Sequence, residues 1–211
     1  MSKIFLIGDL HFGDNTIIHL ENRPFHNDIQ QTDELVELWN SVVEDNDIVY
    51  VLGDFVNVGC SDYHFQKIRE LKGTRYLIRG NHDTETDEFY TNKCGFTKIY
   101  DTPIILDDFW ILSHLPMYVN KNFPYANVFA HVHNNPIYVT HSCRSYCVSA
   151  ERTGFMPILF DDVKNIILQK KCRNGKMSLS LQQRIDYCYE KDCDIFIRLL
   201  VDFRAISSSG D

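Results

Sequence analysis

Short apolar runs that end in a glycine or a polar cluster recur along this chain. Runs of this kind predict buried β-strands whose carboxyl ends open into polar loops. Loops at strand ends are where open α/β sheets keep their binding sites. The five runs, each with the residues that follow it, are Lys3–Ile7 before Gly8-Asp9-Leu10-His11, Asp47–Leu52 before Gly53-Asp54, Arg75–Arg79 before Gly80-Asn81-His82-Asp83, Phe109–Ser113 before His114, and Asn127–Ala130 before His131-Val132-His133.

Helical patterns separate the strands of the first half. Residues 28 to 31 have the spacing of a capping box, and apolar residues then recur at helical intervals, with Trp39 predicted to lie in the core. A second helix is predicted over residues 61 to 71, and a third from the acidic segment 83 to 87 to Cys94-Gly95. Strands that alternate with helices call for parallel pairing with helical crossovers.

Beyond residue 97 the apolar runs are separated by Asp, Pro and Asn turns instead of helices. This spacing is typical of further strands, so we predict a second sheet. The runs are Thr97–Tyr100, Pro103–Leu106, Phe109–Ser113, Asn127–Ala130, Ile137–Thr140, Tyr146–Ala150 and Met156–Phe160.

The segment from residue 161 onward allows more than one interpretation. Asp161 can cap a helix, whereas Asn174-Gly175 and the alternating residues after it could instead turn a hairpin. The apolar stretch Ile195–Phe203 needs a partner surface. That surface is either the body of the protein or a second copy in a homodimer.

The residues that follow the five runs are of metal-ligand types. Each run is followed by an Asp, a His or an Asn, and these side chains bind hard or borderline metal ions. A single Gly-Asp pair is more often a polar turn, and alternate strand residues share a face whether or not they hold a metal. All five together are hard to obtain by chance, so we predict a metal site built from several loops.

Composition limits the partners and the compartment. A chain of 211 residues with 44% hydrophobic content can bury one substantial core, so one domain is expected. The net charge of −8 makes extended nucleic acid an unfavourable partner but does not exclude a small phosphate ester beside divalent cations. The seven cysteines lack CxxC spacing, and no apolar stretch approaches the roughly 20 residues of a membrane span. We therefore expect a cytoplasmic protein without membrane partners.

The order and spacing of the motifs carry a family resemblance. Asp9-x-His11, Gly53-Asp54, Gly80-Asn81-His82-Asp83, His114 and His131-x-His133 resemble the five motifs of the calcineurin-like metallophosphoesterase superfamily. The stretch from His11-Phe12-Gly13 through Arg23-Pro24-Phe25 to Trp39-Asn40 is similar to the small, mostly uncharacterised bacterial and phage branch of that superfamily.

The resemblance covers residues 1 to 160 and implies an α/β fold. That fold is a four-layer α-β-β-α sandwich of two mixed sheets flanked by helices. We therefore predict a metallophosphoesterase domain over residues 1–160, with residues 161–211 as a C-terminal extension that packs on the same domain.

The resemblance also implies two divalent metal ions held by seven side chains. Asp9, His11 and His133 would bind one ion, Asn81, His114 and His131 would bind the other, and Asp54 would bridge them. Such donors suit Mn, Fe, Zn or Ni, and we expect manganese.

Three further residues are assigned roles at this site. In the family, the residue that corresponds to His82 contacts phosphate and can protonate the leaving oxygen. Asp83 would orient His82 through its other ring nitrogen, or would cap the following helix. Arg23 is a candidate for contact with the substrate phosphate.

Two positions depart from the family pattern. Asp14, in a predicted polar loop, stands where relatives often carry a His, so substrate preference is expected to differ if this position binds substrate. Ala130 replaces the usual glycine before the His-x-His pair. Alanine is harmless there in ordinary strand geometry and unfavourable in left-handed geometry.

The function implied is metal-dependent hydrolysis of a small phosphomonoester or phosphodiester, through attack of a water or hydroxide that bridges two metal ions. A nuclease function is disfavoured by the negative net charge of the chain. The alternative from another class is a catalytically silent binding or scaffold protein on the same fold. A scaffold has little reason to keep every donor together with His82, and all are present.

Overall fold

The structure is a computed structural model that describes residues 2–57, 59–120 and 122–173. Its strands are β1 (Ile4–Ile7), β2 (Ile48–Val51), β3 (Thr74–Ile78), β4 (Lys98–Tyr100), β5 (Ile104–Leu106), β6 (Trp110–Leu112), β7 (Ala126–Phe129), β8 (Ser145–Cys147) and β9 (Ile158–Leu159). Its α-helices are α1 (Asn15–Leu20), α2 (Asp28–Val42), α3 (Asp62–Ile68), α4 (Asp87–Cys94) and α5 (Phe160–Arg173), and a 3-10 helix spans Ala150–Arg152.

The first sheet has the strand order β4-β3-β2-β1-β9. Its first four strands are parallel, and β9 runs antiparallel to β1. Alternate side chains of a strand point to opposite faces. In β1, Phe5 and Ile7 pack in a core with Leu35 and Trp39 of α2, whereas Leu6 belongs to a second core.

The second sheet has the order β5-β6-β7-β8, in which β6, β7 and β8 are parallel and β5 is antiparallel. Between the sheets lies the second core, where Leu6 and Leu52 are clustered with Trp110 and Val128. Full burial of such a side chain contributes about 1.5–3 kcal/mol. The predicted α/β fold, with two mixed sheets flanked by helices, is confirmed.

Two strands lie in a different sheet from the one predicted. β4 and β9 fall in the region assigned to the second sheet but pair with β3 and β1 at the edges of the first. Residues 137–140 form no strand, and Ile137 and Val139 remain 82% and 65% exposed. Apolar periodicity shows that a segment can pair but not which sheet edge it meets.

Two helix starts also differ from prediction. The N-cap of α2 is Asn27, not Asp28, and its side chain accepts the Gln30 amide N–H while Gln30 Oε1 accepts the His26 amide N–H. The predicted loop after residue 12 contains the short helix α1. Asp14 caps it by accepting the amide N–H of Thr16 at 2.7 Å.

The two sheets meet where β1 ends. The Gly8 amide donates to the Val148 carbonyl at 2.9 Å, and the Ala150 amide donates to the Gly8 carbonyl at 2.9 Å. A Cβ on Gly8 would lie 2.4 Å from the Ala130 Cβ, so the alanine methyl fills the space that Gly8 leaves. Ala130 has no positive φ, and the departure from glycine is therefore harmless to the backbone.

α5 begins where β9 ends and packs on the domain. Phe160, Val163 and Ile167 are buried in the core between the sheets, and the helix contacts β1, β8 and β9. The helix predicted for this region is present, but it begins at Phe160, so Asp161 lies in its first turn and does not cap it. The candidate hairpin beyond Asn174-Gly175, the stretch Ile195–Phe203 and the homodimer contact lie outside the described residues.

Candidate metal centre

The carboxyl ends of β1, β2 and β3 bring the first three motifs together. After β1 the chain stays paired with the loop after β2, because the Asp9 amide donates to the Gly53 carbonyl and the His11 amide to the Asp54 carbonyl, both at 3.0 Å. Asp9 Oδ1 also accepts the His131 amide N–H from the second sheet at 3.0 Å. One carboxylate thus fixes the motif after β7 against the motif after β1.

The first donor group consists of Asp9, His11 and His133. Each offers one ligand atom, and these atoms lie within 4.8 Å of one another. Asp9 is fully buried and His11 is 3% exposed. Asp9 Oδ2 and His11 Nε2 are buried without a hydrogen-bond partner in the described part of the chain.

The second donor group consists of Asp54, His114 and His131, whose ligand atoms also lie within 4.8 Å. His114 Nδ1 donates to the Leu52 carbonyl at 2.8 Å, so Nε2 is the ring nitrogen that faces the other members of the group. Asn81 Oδ1 lies 2.9 Å and His131 Nδ1 3.0 Å from that Nε2. Asn81 is therefore adjacent to this group, and its role as a ligand stays a prediction.

Asp54 belongs to the second group and also faces the first. Its Oδ2 is 3.7 Å from His11 Nε2 and 3.3 Å from His114 Nε2. A carboxylate with one oxygen facing both sets of donors has the position of a bridging ligand. The three donors predicted for each ion and the predicted bridge are thus brought to one place.

Burial and mutual charge shift the ionisation of these groups. Burial raises the pKa of Asp9 to about 6, although His133 and His114 pull it down, and burial lowers the pKa of His11 to about 3. Burial acts to raise the pKa of Asp54, but its hydrogen bond with His114 and the charge there hold it at about 2. Burial also lowers the pKa of His131. Neutral imidazoles beside ionised carboxylates are the form in which these residues bind metals.

The donor chemistry fits divalent cations. In the first group Asp9 Oδ2 and His11 Nε2 are buried without a hydrogen-bond partner among the described residues, and in the second group Asn81 Oδ1 and Asp54 Oδ2 converge on His114 Nε2 at 2.9 and 3.3 Å. Buried acceptors in that state are unfavourable unless a cation or a proton lies between them. The set of His, Asp and Asn is typical of Mn, Fe, Zn or Ni sites.

His82 is exposed beside these groups. Its ring centroid lies 5.3 Å from that of His11 in an edge-to-face arrangement, and it belongs to neither donor group. Its amide N–H donates to Asp54 Oδ1 at 2.9 Å, which fixes the backbone that carries the imidazole. An imidazole in this position can reach a ligand at the centre without binding the cations.

Asp83 does not have either predicted role. Its Oδ2 accepts the amide N–H groups of Asp54 at 2.7 Å and Gly80 at 2.8 Å, and its Oδ1 accepts that of Phe55 at 3.1 Å. The N-cap of α4 is Thr86. Asp83 therefore joins the loops after β2 and β3, and it acts through the position of Asp54 and Asn81 instead of orienting His82.

Arg23 is not placed to contact substrate. Its side chain has 0% exposure, and it donates to the carbonyls of Asp9 at 2.6 Å and Leu10 at 2.9 Å. It also makes an ion pair with Glu151 at 2.6 Å. Because the guanidinium is enclosed and bound within the protein, the predicted phosphate contact is corrected to a role in holding the first motif.

Glu151 was missed by the sequence interpretation. Its Oε1 lies 3.0 Å from His133 Nδ1 and also accepts from Arg23. Burial acts to raise its pKa, but the hydrogen bond with His133 and the charge of Arg23 lower it to about 2. The signal available in the sequence was only an acidic residue after the strand Tyr146–Ala150, with nothing to connect it to His133.

The family model for calcineurin-like phosphoesterases matches residues 2–175. The chain belongs to this family. The match agrees with the five motifs and with the donor groups at the strand ends. The predicted division at residue 160 lies inside the matched range and stays a prediction.

Relatives are found in an archaeon and a phage. The uncharacterized protein MJ1445 of Methanocaldococcus jannaschii is 31% identical over 179 residues, which are 81% of this chain and 94% of that protein. The Gene 66 protein of Mycobacterium phage L5 is 32% identical over 87 residues, which are 39% of this chain and 41% of that protein.

A solved structure shares the fold. The protein of unknown function AQ665 from Aquifex aeolicus superposes with a TM-score of 0.59 at 21% identity, covering 79% of this chain and all (100%) of that one. At 21% sequence identity the similarity of the two structures shows only that they share a fold.

Two observations relate to the predictions from composition. Within the described ranges, no helix combines the length and the apolar character needed to cross a bilayer. Cys60, Cys94, Cys143 and Cys147 are free thiols.

Proposed function

We propose that this chain hydrolyses a phosphomonoester or phosphodiester with two divalent cations held by the two donor groups. The observation that carries the proposal is the pair of three-residue groups, each with ligand atoms within 4.8 Å, together with the position of Asp54, which belongs to the second group and has Oδ2 3.7 Å from His11 Nε2 of the first. When bound, such cations lower the pKa of water, neutralise phosphoryl oxygens and favour in-line geometry. Manganese is the metal we propose from among those that suit the donors.

The protein's own residues hold the reacting groups in place and supply a proton. Asp9, His11 and His133 bind on one side, Asn81, His114 and His131 bind on the other, and Asp54 faces both. The exposed His82 imidazole, which belongs to neither donor group, is the group that would donate a proton to the leaving oxygen. The hydrogen bond that its backbone N–H donates to Asp54 Oδ1 keeps His82 at the edge of the centre.

The features that disfavour a silent scaffold are the complete donor set and the exposed, uncoordinated His82. The acidic net charge of −8 favours a small ester over extended nucleic acid. A cytoplasmic location and a homodimer contact are further parts of the proposal.

The test compares hydrolysis of bis-p-nitrophenyl phosphate and p-nitrophenyl phosphate with Mn²⁺, with a chelator as the negative control. We expect turnover of at least one ester that the chelator abolishes. The His82→Ala variant should still bind Mn²⁺ but lose about 10²–10⁴-fold in turnover. His26→Ala, which removes an exposed histidine outside both donor groups, is the matched control and should retain activity.

Two results would contradict the proposal at different levels. Full turnover by His82→Ala would remove the proton-donor role alone. Less than one bound ion per chain after Mn²⁺ loading would favour the scaffold function.

A further inference from the structure

We propose that Glu151, held by Arg23, is a positioning residue that directs His133 toward its cation. The inference rests on the proposed function, because it concerns how the first donor group is assembled. Glu151 lies in the 3-10 helix Ala150–Arg152, outside the five motifs, and is not a member of the first or the second donor group.

The contacts of Glu151 converge on one oxygen. Oε1 accepts from Arg23 Nε at 2.9 Å and from Arg23 Nη2 at 2.6 Å, and it lies 3.0 Å from His133 Nδ1. The side chains of Arg23 and Glu151 are 0% and 5% exposed. An ion pair so enclosed has little freedom to move, so the position of Oε1 is well defined.

This geometry determines which nitrogen of His133 is available. A carboxylate oxygen accepts a hydrogen bond, so Nδ1 must carry the proton, and the lone pair is then on Nε2. A metal ligand whose other ring nitrogen donates to a carboxylate is both oriented and made more basic. Glu151 thus prepares His133 to bind through Nε2.

The same network holds the other two members of the group. Arg23 donates to the carbonyls of Asp9 and Leu10, and to Gln31 Oε1 at 3.0 Å. Gln31 Nε2 donates to the His11 carbonyl at 3.0 Å. One buried arginine therefore connects the backbone of Asp9 and His11 with the ring of His133, and all three donors are set by side chains that bind no substrate.

A competing arrangement is that Glu151 is itself a ligand. Glu21, His133 and Glu151 form a third group whose potential ligand atoms lie within 4.8 Å, and Glu151 Oε2 is buried without a partner among the described residues. Under that arrangement Glu21 and Glu151 would contribute alike to cation binding. Under the proposed arrangement Glu21 would not contribute.

The experiment titrates the full chain with Mn²⁺ and measures free Mn²⁺ by electron paramagnetic resonance. Glu151→Gln keeps the shape and an acceptor oxygen but removes the charge. We expect it to weaken one of two binding steps about 10–100-fold and to leave the other unchanged. Glu21→Gln is the matched control and should leave both steps unchanged.

The outcomes separate the inference from the proposed function. Two normal binding steps in Glu151→Gln would overturn the inference alone, and so would an equal weakening by Glu21→Gln. A wild-type chain that binds no Mn²⁺ would overturn both the proposed function and the inference.

A second measurement needs no variant at this buried pair. Nitrogen-15 spectra of the histidine rings in the wild-type chain loaded with Zn²⁺ report which nitrogen of His133 bears the proton. A protonated Nδ1 and a metal-shifted Nε2 are expected. A metal-shifted Nδ1 would overturn the inference even if Glu151→Gln failed to fold.

Discussion

Left-handed backbone geometry is concentrated in the residues that offer metal ligands. The residues of the two donor groups that have positive φ are Asp9 (58°), His11 (50°), Asp54 (53°), His131 (71°) and His133 (45°). A non-glycine residue in this region is unfavourable by about 1–3 kcal/mol and persists only where surrounding contacts hold it. The hydrogen bonds that the backbone N–H groups of Asp9 and His11 donate to the loop after β2 provide such contacts. These residues therefore contribute to the site at the expense of local stability.

Asp9 allows a test of this conflict between stability and binding. Burial raises its pKa to about 6, so the folded metal-free protein holds the proton more tightly than the unfolded chain does. The free energy of unfolding should therefore fall as pH rises from about 4 to 6. Asp9→Asn removes the buried charge and should stabilise the metal-free protein at pH 7.5 by up to about 3 kcal/mol.

Urea unfolding of both proteins in chelator, at pH 7.5 and pH 4, measures this effect. The difference should shrink at pH 4, and the variant should gain no stability from Mn²⁺ at the first donor group. A variant less stable than wild type at pH 7.5 would contradict the prediction.

Asp83 should be needed both for the stability of the fold and for Mn²⁺ binding at the site. Asparagine has one acceptor oxygen, so Asp83→Asn cannot satisfy the three amide N–H groups that the carboxylate accepts. Leaving a buried donor unpaired is unfavourable by about 1–3 kcal/mol. We expect a loss of that size in chemical unfolding, and weaker Mn²⁺ binding because Asp54 and Asn81 shift. Asp101→Asn, at an exposed carboxylate that binds Arg79, should change neither.

At the scale of elements, the site requires that the loops after β2 and β3 approach each other closely. A Cβ on Gly53 would lie 2.4 Å from His114 Nδ1, and one on Gly80 would lie 2.2 Å from Asp54 Oδ1. No side chain fits at either position without displacing a donor. The glycines before Asp54 and Asn81 are therefore requirements of the metal centre as well as turn residues.

Gly53→Ala tests this close approach against a matched glycine. Gly53 and Gly154 both have positive φ, at +86° and +66°, but nothing lies within 4 Å of a Cβ on Gly154. Backbone strain alone should destabilise Gly154→Ala by about 1–2 kcal/mol and leave Mn²⁺ binding intact. Gly53→Ala should be less stable still and should lose affinity at the group that contains His114. Equal Mn²⁺ affinity in the two variants would contradict the crowding argument.

At the scale of the whole molecule, the site lies where the two sheets meet. Asp9, Asp54 and Asn81 follow strands of the first sheet, whereas His114, His131 and His133 follow strands of the second. Each donor group contains residues from both sheets. Cations bound there would connect the sheets, so metal binding and folding stability should be coupled.

This coupling predicts a large thermal response to metal. Mn²⁺ at about 100 times its Kd should add about 2.7 kcal/mol per site, or roughly 5–10 °C in Tm. Thermal unfolding in chelator and in Mn²⁺ measures the shift. His114→Ala should lose the part that comes from the second donor group, whereas His26→Ala should keep the whole shift. An equal Tm with and without Mn²⁺ would contradict the prediction.

The fold and the donor set could be predicted because both depend on patterns among residues that are close together in the sequence. Apolar runs of strand length indicated β1, β2 and β3, and a ligand-type residue follows the end of each within three positions. The sheet membership of β4 and β9 could not be predicted, since edge pairing depends on which surface is left open. For the same reason the segment 137–140 resembled a strand although it forms none and its first three residues are exposed.

The roles of the supporting residues were decided by tertiary structure. Arg23 was predicted to contact substrate, but it forms a buried ion pair with Glu151. Asp83 was predicted to orient His82, but its carboxylate joins two loops by hydrogen bonds. Glu151 carried no local signal, and the capping-box spacing that included Gln31 gave no indication of its contacts with Arg23 and the His11 carbonyl, because a hydrogen-bond acceptor has no periodicity of its own. What such a residue does depends on the group opposite it.

By itself, the sequence determined which side chains can donate to a cation and at which strand ends they stand. This is possible because strand length, glycine turns and ligand chemistry are properties of neighbouring residues. Only the tertiary structure decided how those donors are held. Arg23 and Glu151 are 128 positions apart, and their contact exists because the second sheet packs on the first.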